Sequence, residues 1–316
     1  LCRDWSSDVC SSDLVFGGAE RYLTQLLRLL HDLGYEPKVW QPGAATHAYD
    51  GIEVVGLPPG EVEYGTLPEL NFLFHERTMG YDKFVYFTPM LAYPQVKPHS
   101  VVVSHSLFWD YPGHQWASAE GPLRDEWLRR LHYAATAPDL FVSVDTNMLN
   151  WLRSTWPGHE HRQIYIPNFV DLARFAPTAE NRESLVVLFP RRLDWNRGTD
   201  DAMAAALALT ARYEKVEFHF VGQGASSLVE ADMWQWAKDH PRCRYYWVPL
   251  DRMPEVYGGS DIVIIPTKSC EGTSLACLEA MACGKAVVCG RVGGLTDLVI
   301  DEFNGRLIQV SPEGLM

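Results

Sequence analysis

The chain of 316 residues is 47% hydrophobic and 21% charged, with a formal net charge of −13. That length suits two domains of ordinary size, and that composition belongs to a globular protein with ample material for a core. The acidic balance argues against a nucleic-acid partner, whose phosphates need Lys and Arg, and no apolar run is long enough to span a bilayer.

Residues 1–14, LCRDWSSDVCSSDL, show neither helical nor strand periodicity and lack the apolar centre of a signal peptide. DWSSDVCSSDL resembles an in-frame translation of a sequencing adapter, so this tail is expected to be non-native and Cys2 and Cys10 to carry no meaning. Among the remaining cysteines, Cys270, Cys277, Cys283 and Cys289 form no CxxC pair and have no histidine nearby. They read as small buried hydrophobes in a reducing cytosol rather than as a disulfide or zinc framework.

From residue 15 the pattern alternates helix and strand. AERYLTQLLRLLHDLG carries Leu23, Leu26, Leu27 and Leu30 on one helical stripe, closed by Gly34. EPKVWQP and GIEVVGL read as strands, followed by YDKFVYF and HSVVVSHS. A helix over roughly 122–135, the strand DLFVSVD, a helix near 146–155 and RQIYIPN complete a first domain spanning 15–167. Residues 168–184 lack periodicity and read as a linker. In the second domain, 185–316, the strands are SLVVLFP, VEFHFVG, CRYYWVP, DIVIIPT and KAVVCG, with helices starting near Thr199, Ser226, Pro254 and Ser274. Near-continuous apolar strands imply burial on both faces, so the expected class is α/β, with two Rossmann-like doubly wound parallel sheets in succession and a cleft between them. SPEGLM ends where a new helix should begin.

The segment CEGTSLACLEA, 270–280, sets Glu271 and Glu279 eight positions apart around a strand-to-helix turn. Thr273 or Ser274 is the expected N-cap. The backbone amides of Gly272, Thr273, Ser274 and Leu275 and the helix dipole offer a place for phosphate. Eight helical residues rise about 12 Å and turn about 80° beyond two full turns. A side-by-side acid/base pair spans about 5 to 9.5 Å. The spacing therefore fits two holders of one extended ligand better than a catalytic pair, but periodicity alone favours a plainer reading, a first-turn acid beside a helix N-cap and one solvated glutamate.

EGTSLACLEAMACGKAVVCGRVGGLTDLV closely resembles the retaining glycosyltransferases of the GT-B fold, family 4, which carry an E-x7-E pair, an "lEAMA.GkPVV" strand and a "GG" loop. PRRLDWNRG (190–198) resembles that family's "GRL...KG" segment, VFGGAER (15–21) its first glycine loop and IPNFVDLARF (166–175) its hinge. The resemblance implies a metal-independent transferase without cofactor, taking a sugar from a UDP-, GDP- or similar donor to a saccharide, lipid-linked or other glycoconjugate acceptor. It implies a cytoplasmic chain touching the inner face of the membrane at most peripherally, and no protein partner. Arg192 and Arg197 would clamp the diphosphate, with Arg197 where the family usually has Lys. Gly17 and Gly18 would face the donor phosphates. Gly222, in VGQG, lies on the glycine-rich turn after a donor-domain strand, and Val248, in YYWVPL, would meet the base. Glu271 would position the donor-sugar hydroxyls, Glu279 the ribose, and His105 in VVVSHSLFWDYPG would contact the transferred sugar, with Phe108, Trp109, Tyr111 and Trp116 after it. Neither glutamate is expected to be the base; the leaving phosphate oxygen would take the acceptor proton. Arg191 reads as a solvated loop residue, Gly293 and Gly294 as a structural turn, Asp297 as carrying no chemistry. The resemblance also implies a missing first strand and missing C-terminal helices. The competing readings are an inactive donor-binding fragment and a sugar-nucleotide epimerase of the same fold.

Overall fold

The computed structural model describes residues 18–43, 46–49, 51–57, 66–107, 120–178, 182–224 and 226–316. The tail 1–14, Gly17 and the aromatic residues 108–116 lie outside them. The described chain divides into two compact units. One holds residues up to His105, then 120–143 and 148–166; the other holds 106–107, 144–147 and Pro167–Met316. The stretch read as a linker belongs to the second unit, where Phe175 enters the core.

The first unit begins with helix α1 (Gly18–Asp32), whose last turn is closed by Gly34 at φ 85° and by hydrogen bonds from Gly34 N to His31 O and Tyr35 N to Leu30 O. Strands β1 (Val39–Pro42), β2 (His47–Tyr49) and β3 (Ile52–Leu57) form a sheet in the order β1-β3-β2, with β2 antiparallel. Helix α2 (Thr66–Arg77) follows. Its apolar residues Leu67, Leu70, Phe72, Leu73 and Phe74 spread around the helix, and Phe72 is exposed, so no single narrow stripe announces it. Strands β4 (Phe84–Tyr86), β5 (Ser100–Ser104), β6 (Leu140–Ser143) and β7 (Gln163–Tyr165) make a second, parallel sheet in sequence order, connected by α3 (Pro122–Thr136) and α4 (Thr146–Thr155).

The second unit is one six-stranded parallel sheet. Its strands are β8 (Leu185–Phe189), β9 (Val216–Val221), β10 (Cys243–Tyr246), β11 (Ile262–Ile265), β12 (Ala286–Gly290) and β13 (Arg306–Ile308), ordered β10-β9-β8-β11-β12-β13. The helices are α5 (Thr199–Arg212), α6 (Ser227–Asp239), α7 (Met253–Gly258), α8 (Leu275–Ala282), α9 (Leu295–Leu298) and α10 (Pro312–Leu315). Strand side chains alternate between two cores. Val187, Phe189, Phe218, Phe220 and Ile264 join Ala202 and Ala206 of α5 and Met233 of α6 on one face. Leu188, Val221, Val263, Ile265, Val287 and Cys289 join Tyr257 of α7 and Cys277 and Ala280 of α8 on the other. Each fully buried Phe or Leu in these layers contributes on the order of 1.5–3 kcal/mol, which explains why apolar runs rather than alternation mark these strands. No helix among the described residues is long and apolar enough to cross a membrane.

Candidate functional site

β8 starts the six-stranded sheet at its centre. The chain then moves outward through β9 and β10, and returns to the other side of β8 as β11. The order reverses between β8 and β11, and open α/β sheets bind ligands at the carboxyl ends of strands at such a reversal. The two loops leaving these strands, 190–198 and 266–274, contain most of the residues singled out from the sequence.

The loops are fastened to one another. After β8, Asp194 accepts a hydrogen bond from Asn196 N at 2.7 Å and starts a 3-10 turn over Trp195–Arg197. Gly198 ends that turn at φ 76°, where a Cβ would stand 2.1 Å from Pro266 O, so only glycine permits this approach to the loop after β11. Across it, Lys268 N donates to Asn196 O at 2.9 Å and Ser269 Oγ to Asn196 Oδ1 at 2.6 Å.

Cys270 adopts the left-handed conformation, φ 50°, uncommon for a non-glycine residue, immediately before Glu271. The Glu271 side chain is only one-tenth exposed, and a single carboxylate oxygen, Oε2, accepts from Arg191 Nη2 at 2.6 Å, from Thr267 Oγ1 at 3.2 Å and from Arg197. Burial by itself would raise the carboxyl pKa; the guanidiniums of Arg191 and Arg197 outweigh it and hold the group at about 2. Among the described residues two guanidiniums meet this one carboxylate, a surplus of positive charge within that set.

Arg191, read from the sequence as a solvated loop residue, is corrected by the structure. Its side chain is 8% exposed, and it donates to Ser274 Oγ at 2.9 Å as well as to Glu271. Adjacent basic residues at a strand end point to different environments, and nothing in PRR says which enters. Arg192 is half-buried and makes no hydrogen bond or ion pair among the described residues.

Helix α8 starts after Ser274, as its spacing predicts, but the expected side-chain cap is not made, because Ser274 Oγ accepts from Arg191 instead. The first-turn N–H groups of α8 therefore lack a side-chain acceptor and remain open to an anion. Thr273 is buried and fully engaged. Its hydroxyl donates to Val144 O and accepts from Asn168 N, both at 2.8 Å, while Asn168 Nδ2 donates to Thr273 O. Gly272 and Leu275 flank it in the same turn. Gly293, at φ 48°, and Gly294 lie against this turn: a Cβ on Gly294 would meet Gly272 C at 2.4 Å, and Gly294 N donates to Glu271 O at 2.8 Å. The structural role expected of this pair is what the geometry demands. Asp297, assigned nothing, accepts from Thr146 N at 2.8 Å and from the Thr146 hydroxyl, at the start of α4.

Glu279 lies inside α8, 2% exposed, and accepts from Tyr257 Oη at 2.9 Å. Gly222 follows β9 and presses on Arg191, where a Cβ would lie 2.2 Å from the carbonyl oxygen. Val248 follows β10 and packs partly on the α8-side core. In the first unit, Gly18 opens α1, and His105 follows β5, its ring 4.5 Å from that of Phe87 and 5.1 Å from that of Tyr22. The structure thus brings Glu271, Arg191, Arg197, Thr267 and the start of α8 into one cluster. Arg191, Thr267 and Tyr257 are participants that the sequence reading missed.

Residues 16–174 match the family described as Glycosyltransferase Family 4, and residues 172–315 match Glycosyl transferases group 1. The D-inositol 3-phosphate glycosyltransferase of Acidothermus cellulolyticus is 44% identical over 221 residues, covering 61% of this chain and 47% of that protein. That of Geodermatophilus obscurus is 29% identical over 198 residues, covering 54% and 42%, so the chain spans less than half the length of either relative. Among solved structures, sucrose-phosphate synthase from Thermosynechococcus elongatus aligns over 95% of this chain and 82% of its own, with a TM-score of 0.77 and 19% identity. Anabaena HepE in complex with UDP and glucose aligns over 95% and 84%, with a TM-score of 0.72 and 19% identity. These likenesses establish a GT-B architecture of two Rossmann-like domains, and by its sequence match the chain belongs to glycosyltransferase family 4.

Proposed function

We propose that this chain is a glycosyltransferase that moves a sugar from a nucleotide-diphosphate donor with retention of configuration and without a metal. One observation supports the reading above the rest: a buried carboxylate, two guanidiniums and an uncapped helix N-terminus converge where the strand order reverses. A diphosphate suits the surplus positive charge and the open amides of α8, and Arg192 has its donors to spare. These groups would stabilise charge developing on the leaving diphosphate, which is electrostatic catalysis. Glu271 would accept hydrogen bonds from the donor-sugar hydroxyls. The leaving phosphate oxygen would take the acceptor proton during attack on the same face.

Glu279 is proposed for the ribose hydroxyls, and its contact with Tyr257 would have to share the carboxylate with them. His105 is proposed as a separate sugar contact, Val248 as a contact of the base, and Gly17, Gly18 and Gly222 as backbone approaches to the donor. The acceptor is proposed to be a saccharide or lipid-linked glycoconjugate, in keeping with the D-inositol 3-phosphate and phosphatidylinositol substrates named for relatives.

The test is calorimetric binding of UDP and GDP, followed by nucleotide release from a panel of UDP- and GDP-sugars with candidate acceptors. Arg192→Ala and Arg197→Ala should each weaken diphosphate binding by about tenfold or more. Glu271→Ala should abolish transfer. Failure of the wild-type chain to bind any nucleotide, or equal transfer by all variants, would sink the reading.

A further inference from the structure

The Glu271 cluster distributes its donors unevenly. Arg191, Arg197 and Thr267 all donate to Oε2, while Oε1 accepts no hydrogen bond among the described residues. The two arginines also differ. Arg191 is 8% exposed, anchored twice, by Glu271 and by Ser274 Oγ at 2.9 Å. Its own carbonyl is pinned under Gly222. Arg197 is 19% exposed and sits at the end of a 3-10 turn.

A diphosphate arriving at this cluster competes with Glu271 for guanidinium. The more exposed Arg197 can answer that call; Arg191, enclosed and doubly tied, cannot leave. If Arg197 were the only partner, donor binding would strand a buried carboxylate, which is strongly unfavourable. With Arg191 in place, Glu271 keeps a positive partner throughout.

Resting on the donor-site reading above, we propose that Arg191 is a positioning residue. It locks Glu271 through Oε2, presents Oε1 to the donor sugar, and keeps Glu271 paired when the more exposed Arg197 turns to the diphosphate. Arg191 itself touches no substrate. Its effect on the reaction passes through Glu271.

The experiment is the carboxyl ¹³C titration of Glu271 in glutamate-labelled protein, the resonance being assigned by its loss in Glu271→Gln. In the wild-type chain Glu271 should not titrate between about pH 7 and pH 4, with or without UDP. In Arg191→Met the titration should move upward without ligand, and UDP should move it further by about one pH unit or more as Arg197 is drawn away. Arg191→Lys should restore most of the wild-type behaviour. A merely structural role would lower the melting temperature and leave the titration unmoved. Should the Met variant not fold, Arg191→Gln, which keeps two donors without charge, carries the same expectation.

An unmoved Glu271 titration in the ligand-free variant overturns the proposal, as does a UDP response equal in variant and wild type. If the wild type binds no UDP while the ligand-free titration still moves, the donor-site reading fails and the hold of Arg191 on Glu271 stands. With UDP-sugars that turn over, Arg191→Met should lower kcat by about tenfold or more and shift the acid limb of its pH profile upward.

Discussion

Glu271 and Glu279 lie eight residues apart in one segment, yet they meet opposite surroundings. Glu271 leaves the turn before α8, where two strand-end loops bring it two guanidiniums and a hydroxyl. Glu279 sits within α8, deeper in the core, and its named partner is a neutral phenol. The difference shows that carboxylate spacing says little about role. A charge among charges at the reversal of strand order is placed for a ligand, whereas a carboxylate held by a phenol under a core helix is placed first by packing.

The largest expected effect comes from removing the charged member of that contrast. Glu271→Ala leaves two guanidiniums facing each other with little water, and the chain should lose about 3–5 kcal/mol in denaturant unfolding. Loss below about 1 kcal/mol would mean that the cluster is far wetter than its burial implies.

Acid sharpens the comparison next. Glu271 sits at about 2 in the folded chain against an ordinary value of 4.5, a depressed pKa. Its stabilising contribution is therefore fully present above about pH 4.5 and is lost as pH falls through about 2. At about 1.4 kcal/mol per pH unit this amounts to on the order of 3 kcal/mol. The stability gap between wild type and Glu271→Gln should narrow over that window, and a constant gap from pH 6 to pH 2.5 would contradict it.

Gly294→Ala should cost about 1–3 kcal/mol, since its Cβ would meet Gly272 C at 2.4 Å. Melting should show it, and UDP affinity should fall with it because the same turn carries the α8 amides. On the Glu279 side, Tyr257→Phe deletes one buried hydrogen bond and should cost about 1–2 kcal/mol in denaturant unfolding. The smallest effect is Arg197→Ala on stability, about 1 kcal/mol or less, with diphosphate binding bearing the loss instead. A stability loss equal to that of Arg191→Met would erase the distinction between the two arginines.

Much of the fold was legible. Apolar runs bounded by Gly and Pro located β8, β9, β10, β11 and β12, and the Leu stripe located α1, because burial on two faces or on one stripe leaves a direct trace in residue spacing. Helix α2 left a weaker one, since the run Phe72-Leu73-Phe74 widens its apolar face and Pro68 interrupts its start. Strand β13, Arg306–Ile308, offers only Leu307 and Ile308 as apolar residues and left no run to register. Of the site, Glu271, Arg197 and the α8 turn could be found from motif order.

The sequence by itself determined that this is an α/β chain of two parallel-sheet domains, belonging to glycosyltransferase family 4, with a glycine-lined turn ahead of a helix. Only the tertiary structure decided which neighbour of the PRR pair is buried, why Ser274 does not cap its helix and which glutamate faces guanidinium. Those choices depend on loops from strands about 75 residues apart meeting at the reversal of sheet order, as the Arg197–Glu271 and Arg191–Glu271 pairs do. Local spacing carries no information about such a meeting, because the partners are brought together by the order of strands and not by their separation along the chain.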